Sequence, residues 1–299
     1  TAYTALGEHI KSANEDWDVN VYPQGSFELG TVVKPLNDEE QYDVDLVVLV
    51  KQPEFSAEEL RTNIRALLES HGRYVGKIQD KKPCIRIQYA DSSQFHMDIA
   101  SAKKNGQGIG TTIEIARYDG DYEYYYDPSN PKGYVEWFKK VLKYDKILLE
   151  KRAMLEKAET EIEKLSLTKF RTPLQKAIQI LKRHRDIYFD NINNNEDKPS
   201  SIIITTLCGL SYEYSLPYTD KKGNIYVTIR NMLNNFDRFI QFDAIKGWRM
   251  MNPSKMDENF LKKWNENSAL KDAFDDWIRQ ARIDILINPE KFIETDQAE

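Results

Sequence analysis

The chain has 299 residues, with 42 Lys+Arg against 48 Asp+Glu and a formal net charge of −6. Its 17 Tyr, 12 Phe and 5 Trp are too much aromatic surface to leave in water, which excludes a disordered chain, and its apolar runs fall well short of the ~20 residues of a membrane span. An acidic total argues against a dedicated duplex-binding protein, and two distant cysteines, Cys84 and Cys208, cannot form a disulfide framework, so a cytoplasmic location is expected.

In chain order, Val19 to Tyr22 reads as a short strand entering a Gly-rich turn, Gln24-Gly25-Ser26-Phe27. Tyr42 to Val50 is apolar and β-branched, the pattern of a buried strand. Ser56-Ala57-Glu58-Glu59 is a capping box; Leu60, Ile64, Leu67 and Leu68 follow at helical spacing, and Gly72 marks the stop. Cys84 to Ala90 and Gln94 to Ala100 are two strands joined by the turn residues Asp91-Ser92-Ser93. After about residue 132 the pattern becomes helical. Phe138, Val141, Leu142, Leu148, Leu155 and Ile162 fall on one stripe of a long helix. Thr172-Pro173-Leu174-Gln175 is a second capping box, with Leu174, Ala177, Ile178, Leu181 and Tyr188 as the buried stripe behind it. Asn191 to Pro199 is a polar break, Ser200 or Ser201 starts another helix, and the remainder reads as mostly helical to about Ile287. Thr295 to Glu299 reads as an exposed tail, a place for a regulatory partner. No signal peptide is visible, and residue 1 is Thr rather than Met, which leaves a trimmed start open.

Charge is unevenly spread. Residues 1–50 hold ten acidic residues and two lysines, whereas residues 139–186 hold fourteen Lys+Arg against seven Asp+Glu. An acidic lobe facing a basic one suits a cleft that binds metal on one side and phosphates on the other; two solvated helical faces are the plainer explanation.

The chemistry is concentrated in residues 24–45. Side chains alternate along a strand, so Asp43 and Asp45 share one face while Val44, Leu46 and Val48 share the other. Adjacent carboxylates repel, and a divalent cation removes that penalty; Mg²⁺ prefers carboxylates together with substrate phosphates. The later strand repeats the pattern, with Phe95, Met97 and Ile99 on one face and His96, Asp98 and Ala100 on the other. If the two strands are neighbours, Asp98 joins Asp43 and Asp45. Gly25 lets backbone approach a phosphate, and the Ser26 hydroxyl can donate to it. A lone D-x-D often does no more than solvate an edge strand; here a Gly-Ser turn precedes it and a third aspartate follows.

Other candidates carry less. His96 shares the Asp98 face, but a core histidine is the expected role. Gly106, Gly108 and Gly110 lack the strand-to-helix context of a dinucleotide fingerprint and read as a mobile loop. The cluster Tyr122 to Tyr126 reads as strand packing rather than base stacking, and the four histidines and two cysteines offer no zinc-site spacing.

Gln24-Gly25-Ser26-Phe27-Glu28-Leu29-Gly30-Thr31 followed by Tyr42-Asp43-Val44-Asp45-Leu46-Val47 resembles the polymerase-β-type nucleotidyltransferase signature, in the form found in the bacterial cGAS/DncV-like nucleotidyltransferases (CD-NTases). Further matches are Ser129-Asn130-Pro131-Lys132-Gly133-Tyr134 with Trp137-Phe138, Leu181-Lys182-Arg183-His184-Arg185, Pro199-Ser200-Ser201, and Asn252-Pro253 with Glu258-Asn259-Phe260 and Trp264. The resemblance implies an α+β, bilobal polymerase-β-like fold, with a mixed-sheet catalytic core over 1–134 and a connecting helix and helical lobe over 135–299. It implies that Asp43, Asp45 and Asp98 hold two Mg²⁺ (or Mn²⁺), with Asp98 nearest the attacking hydroxyl. Gln24, Gly25 and Ser26 would bind nucleotide, and Lys182 and Ser201 would contact the donor triphosphate. Lys182 is then expected on a groove edge beside Leu181, and Ser201 at a helix N-terminus that favours phosphate. Arg183 and Arg185 are expected to be surface charges or backbone ties.

The implied activity is template-independent joining of NTPs, at least one of them a purine, into a cyclic oligonucleotide messenger with loss of pyrophosphate. The family setting is bacterial anti-phage (CBASS) signalling, with a separate effector sensing the product. Linear oligonucleotide synthesis, NMP transfer to RNA or a small molecule, and a degenerate nucleotide- or RNA-binding sensor are the rivals. The zinc insert of the animal DNA sensor is not apparent, so activation by duplex DNA is not expected.

Overall fold

The computed structural model describes residues 2–13, 17–36, 42–51, 54–88, 95–105, 110–121, 123–143, 171–218 and 224–288. The turn Asp91-Ser92-Ser93, Gly106, Gly108, Tyr122, the long-helix positions Leu148, Leu155 and Ile162, and the tail Thr295 to Glu299 lie outside them. The chain divides into two compact units, Thr1–Glu136 and Trp137–Glu299.

The first unit is built on α1 (Ala2–Ala13), β1 (Val19–Pro23), α2 (Gly25–Leu29), β2 (Tyr42–Val50), α3 (Ala57–Ser70), β3 (Ile78–Asp80), β4 (Ile85–Gln88), β5 (Phe95–Lys104), β6 (Ile113–Tyr118) and β7 (Tyr124–Ser129). The strands form one mixed sheet in the order β1-β2-β5-β4-β3, with β6 pairing β5 and β7. β2 and β5 run parallel, whereas the other pairs are antiparallel. Parallel neighbours cannot be joined by a tight turn, and here α3, β3 and β4 make the crossover.

Period-two alternation decides which face of the sheet is which. Leu46, Val48 and Val50 of β2, Ile85 and Ile87 of β4, and Met97 and Ile99 of β5 pack with Leu6 and Ile10 of α1 and Leu60, Ile64 and Leu68 of α3. Each such fully buried side chain contributes about 1.5–3 kcal/mol. Val47, Leu49, Ala100, Ala102, Ile113 and Ile115 form a smaller cluster of their own. The expected capping box on α3 is present: Ser56 Oγ accepts from Glu59 N at 3.2 Å, and Glu59 Oε2 accepts from Ser56 N at 2.8 Å. That helix stops at Ser70, with His71 rather than Gly72 as its cap.

Residues 131–143 form α4, and Asn130 Oδ1 at its start accepts from Gly133 N at 3.0 Å and Thr111 Oγ1 at 2.7 Å. In the second unit, α5 (Pro173–Asn191) packs against α6 (Ser201–Ser215), α7 (Ile225–Asn235) and α9 (Ala269–Arg282). The Thr172/Gln175 capping box is present, with Pro173 in the first turn. Ile203, Ile204, Leu207, Cys208 and Tyr212 are buried, as expected of a central α6. His184 of α5 accepts from Trp277 Nε1 at its Nδ1 (3.1 Å), and its Nε2 lies 3.0 Å from Asp284 Oδ2.

One part of this unit interrupts the mostly helical run that was expected. Between α7 and α8 (Lys262–Glu266) lie two hairpins, β8 (Gln241–Asp243) with β9 (Gly247–Arg249), and β10 (Met251–Asn252) with β11 (Lys255–Asn259). Strands of two to five residues are too short to show alternation; their turns carry the signal. Asp243 Oδ1 accepts from Ile245 N and Lys246 N, and buried Asn252 accepts from Ser254 N and donates to Glu258 Oε2 at 2.7 Å.

Candidate active site

The site sits at the N-terminal end of β2 and β5, where the sheet face opposite α1 and α3 carries polar rather than apolar residues. The parallel register places Asp45 opposite Asp98 and Asp43 opposite His96. Two adjacent strands with the same parity therefore present a patch of four side chains, Asp43, Asp45, His96 and Asp98, on one face. Sequence reasoning needed these strands to be neighbours, and they are.

Within that patch, ligand atoms of Asp43, His96 and Asp98 all lie within 4.8 Å of one another. The side chain of Asp43 is 58% exposed and that of Asp98 15%. His96 is buried, as expected of a core histidine, but its Nε2 also contacts Asp43 Oδ1. Its position two residues before Asp98 was the signal for that placement. Asp45 lies against Gly25: a Cβ added to that glycine would stand 2.9 Å from Asp45 Cγ and collide with its carboxylate. Gly25 also has φ +61°, a left-handed conformation that suits glycine. Gln24 N donates to Asp45 O at 2.9 Å, which ties the start of α2 to β2. Ser26 follows directly in α2, and its carbonyl accepts from Thr31 N at 2.9 Å. Gln24, Gly25 and Ser26 are thus held beside Asp45 by backbone.

A residue that sequence reasoning missed completes the cluster. Arg86 of β4 is the register partner of Asp98 across the antiparallel hairpin. Its Nε and Nη2 donate to Asp98 Oδ1 and Oδ2, both at 2.7 Å, and Nη2 lies 3.7 Å from Asp43 Oδ1. Hydrogen bonding to Asp98, with the charges of Asp98 and Asp43, raises the Arg86 pKa and keeps it a cation. Nearby Cys84 is an inert thiol, pushed up to about 12 by burial and by Asp98.

Oxygen donors on two strands, with an imidazole beside them, suit a divalent cation. The close approach of Asp43, His96 and Asp98 fits such an ion, with Asp45 the adjoining carboxylate.

The second unit holds the remaining candidates. Lys182 is buried at 3% exposure rather than solvated, and its charge acts on the thiol of buried Cys208. Ser201 is the first residue of α6, after the cap Ser200, and its Oγ accepts from Arg185 Nη1 at 3.2 Å. Arg185 is a backbone tie rather than a surface charge: it is buried and donates to Pro199 O at 2.8 Å. Among the described residues, no helix is long and apolar enough to cross a membrane.

The family described as "Cyclic GMP-AMP synthase DncV-like, nucleotidyltransferase domain" matches residues 19–101, which run from β1 into β5 and include every acidic candidate. A c-di-GMP synthase of Roseivirga ehrenbergii is 28% identical over 280 residues, 92% of this chain and 69% of its own length. The cyclic dinucleotide synthase CdnG of Bradyrhizobium diazoefficiens is 28% identical over 214 residues, 62% of this chain, and there the match spans only 48% of the relative. Among solved structures, Bradyrhizobium diazoefficiens CdnG in complex with GTP superposes with a TM-score of 0.68 at 21% identity, covering 94% of this chain and 85% of that one. Vibrio cholerae DncV in its GTP-bound form gives 0.61 at 17% identity, covering 89% and 62%. These structural matches establish the fold.

Proposed function

We propose, for a chain that belongs to the cGAS/DncV-like nucleotidyltransferases and is an enzyme of that class, that it joins NTPs into a cyclic dinucleotide and releases pyrophosphate. The observation that carries this reading is the parallel register of β2 and β5, which gathers Asp43, Asp45 and Asp98 on one sheet face beside the Gly25-Ser26 turn. The names of the Roseivirga and Bradyrhizobium relatives support a cyclic dinucleotide product, and both a c-di-GMP synthase and a GTP complex among them support GTP as a substrate.

Asp43, Asp45 and Asp98 are the proposed ligands of two Mg²⁺, for which Mn²⁺ can substitute. Such ions lower the pKa of the acceptor hydroxyl and offset charge on the departing pyrophosphate. Gln24, Gly25 and Ser26 would hold the donor triphosphate, with the Ser26 hydroxyl donating to it; Lys182 and Ser201 are proposed as further triphosphate-binding residues. The acceptor oxygen forms a bond to the α-phosphorus as the α–β bridging P–O bond breaks, and a carboxylate oxygen of Asp98 takes the hydroxyl proton. The linear intermediate keeps a 5′-triphosphate, so a second turn of the same chemistry closes the ring. We assign the product the role of a messenger in anti-phage signalling, read by a separate effector.

The test is incubation with the four NTPs and Mg²⁺, followed by phosphatase treatment and mass spectrometry. Cyclic products lack terminal phosphates, so a phosphatase-resistant species of cyclic dinucleotide mass is expected. Products wholly sensitive to phosphatase would instead identify a linear synthetase or an NMP transferase. Asp43→Asn with Asp45→Asn should abolish turnover while circular dichroism stays unchanged; undiminished turnover would sink the assignment of these carboxylates.

A further inference from the structure

Arg86 holds Asp98 with a side-on fork, one N–H to each carboxylate oxygen, and the same guanidinium reaches toward Asp43. A planar fork fixes both the position and the rotation of a carboxylate, which a lysine ammonium cannot do. Each carboxylate oxygen has a second lone pair, so the fork leaves Asp98 able to bind a further partner. The guanidinium is nevertheless a positive charge in contact with two of the groups that would ligate a cation. The side chains are part-buried, at 26% exposure for Arg86 and 15% for Asp98, so water screens that charge incompletely. Arg86 also stands on β4, away from the Gly25-Ser26 turn on the β1–α2 side of the sheet. Its contacts are with the acidic cluster and not with the proposed triphosphate-binding turn.

We propose that Arg86 is a positioning residue that orients Asp98 for proton transfer and opposes the binding of a divalent cation at the acidic patch when no nucleotide is present. The proposal rests on the reading of Asp43, Asp45 and Asp98 as metal ligands. Two functions reside in one side chain and separate on substitution: the fork orients, and the charge repels. The four negative charges of an incoming triphosphate outweigh the single charge of Arg86, so metal occupancy follows nucleotide occupancy.

The experiment measures Mn²⁺ binding to the nucleotide-free protein by loss of the free-ion electron paramagnetic resonance signal, alongside kcat and KM for GTP. Arg86→Met removes charge and fork together: the Mn²⁺ dissociation constant is expected to fall at least fivefold, and kcat to fall at least tenfold. Arg86→Lys keeps the charge and loses the fork: Mn²⁺ affinity is expected to stay within twofold of the parent while kcat still falls and KM moves little. Arg86→Gln is the second neutral variant, and it should tighten Mn²⁺ binding as Arg86→Met does if the latter does not fold. Unchanged or weaker Mn²⁺ binding in a folded neutral variant overturns the proposal, as does full kcat in Arg86→Lys. Asp43→Asn with Asp45→Asn is the separate control. If Mn²⁺ binding survives it intact, the metal-ligand reading fails, whatever the Arg86 variants do.

Discussion

Asp45 and Asp98 are register partners across the parallel pair β2 and β5, so two carboxylates stand side by side on one face of the sheet. β2 turns apolar immediately after Asp45, and β5 does so after Asp98. The acidic patch is confined to the N-terminal ends of both strands, and the residues that follow it, Leu46 to Val50 and Ile99 to Ala102, are buried.

Asp98 is expected to be indispensable for chemistry. Asp98→Asn keeps the shape and removes the proton acceptor, so kcat should fall by about 10²–10⁴. Steady-state product formation at saturating GTP and Mg²⁺ checks this, with circular dichroism as the control for folding. A kcat within threefold of the parent would remove Asp98 from proton transfer.

Gly25→Ala should damage the site through Asp45. The added methyl enters the space of the Asp45 carboxylate, and φ +61° strains any residue with a Cβ. The backbone penalty is about 1–2 kcal/mol. Thermal unfolding should show that loss, and activity should fall by more than the lost stability accounts for, since Asp45 is displaced from its neighbours.

His184 makes the second unit sensitive to acid. Its Nδ1 accepts from Trp277, so the proton resides on Nε2, which donates to Asp284. Burial lowers its pKa below the ordinary 6.5, and the Asp284 hydrogen bond only partly offsets that. The unfolded chain therefore binds a proton more readily than the folded one. The stabilisation is complete above the unfolded value, about 6.5, and is lost as pH falls below it toward the depressed folded value. Urea titrations between about pH 7.5 and 5 should show this loss, and His184→Gln should flatten that part of the profile.

Much of the site was legible because strand alternation is a local rule. The parity of Asp43 and Asp45, and of His96 and Asp98, follows from residue spacing alone, and both capping boxes follow from side chains three residues apart. Arg86 was also within reach. A hairpin centred on Ser92 pairs residues whose numbers sum to 184, which sets Arg86 opposite Asp98. A backbone tie was one of two roles open to Arg185, but its partners Ser201 and Pro199 and the burial of Lys182 were not legible, because they depend on how α5 meets α6. The small hairpins over residues 241–259 escaped because their strands are shorter than one period of evidence requires.

The sequence by itself determined which residues can carry this chemistry and which face of each element they occupy, because helix and strand periods are properties of the local backbone. Only the tertiary structure decided that β2 and β5 are parallel neighbours, that Gly25 makes room for Asp45, and that Arg86 clasps the third aspartate. Pairing between distant strands is chosen by burial of the whole apolar set against α1 and α3, a collective term to which no single segment is sufficient. The net charge of −6 on the whole chain conceals what that pairing creates, a small acidic patch with one guanidinium built into it.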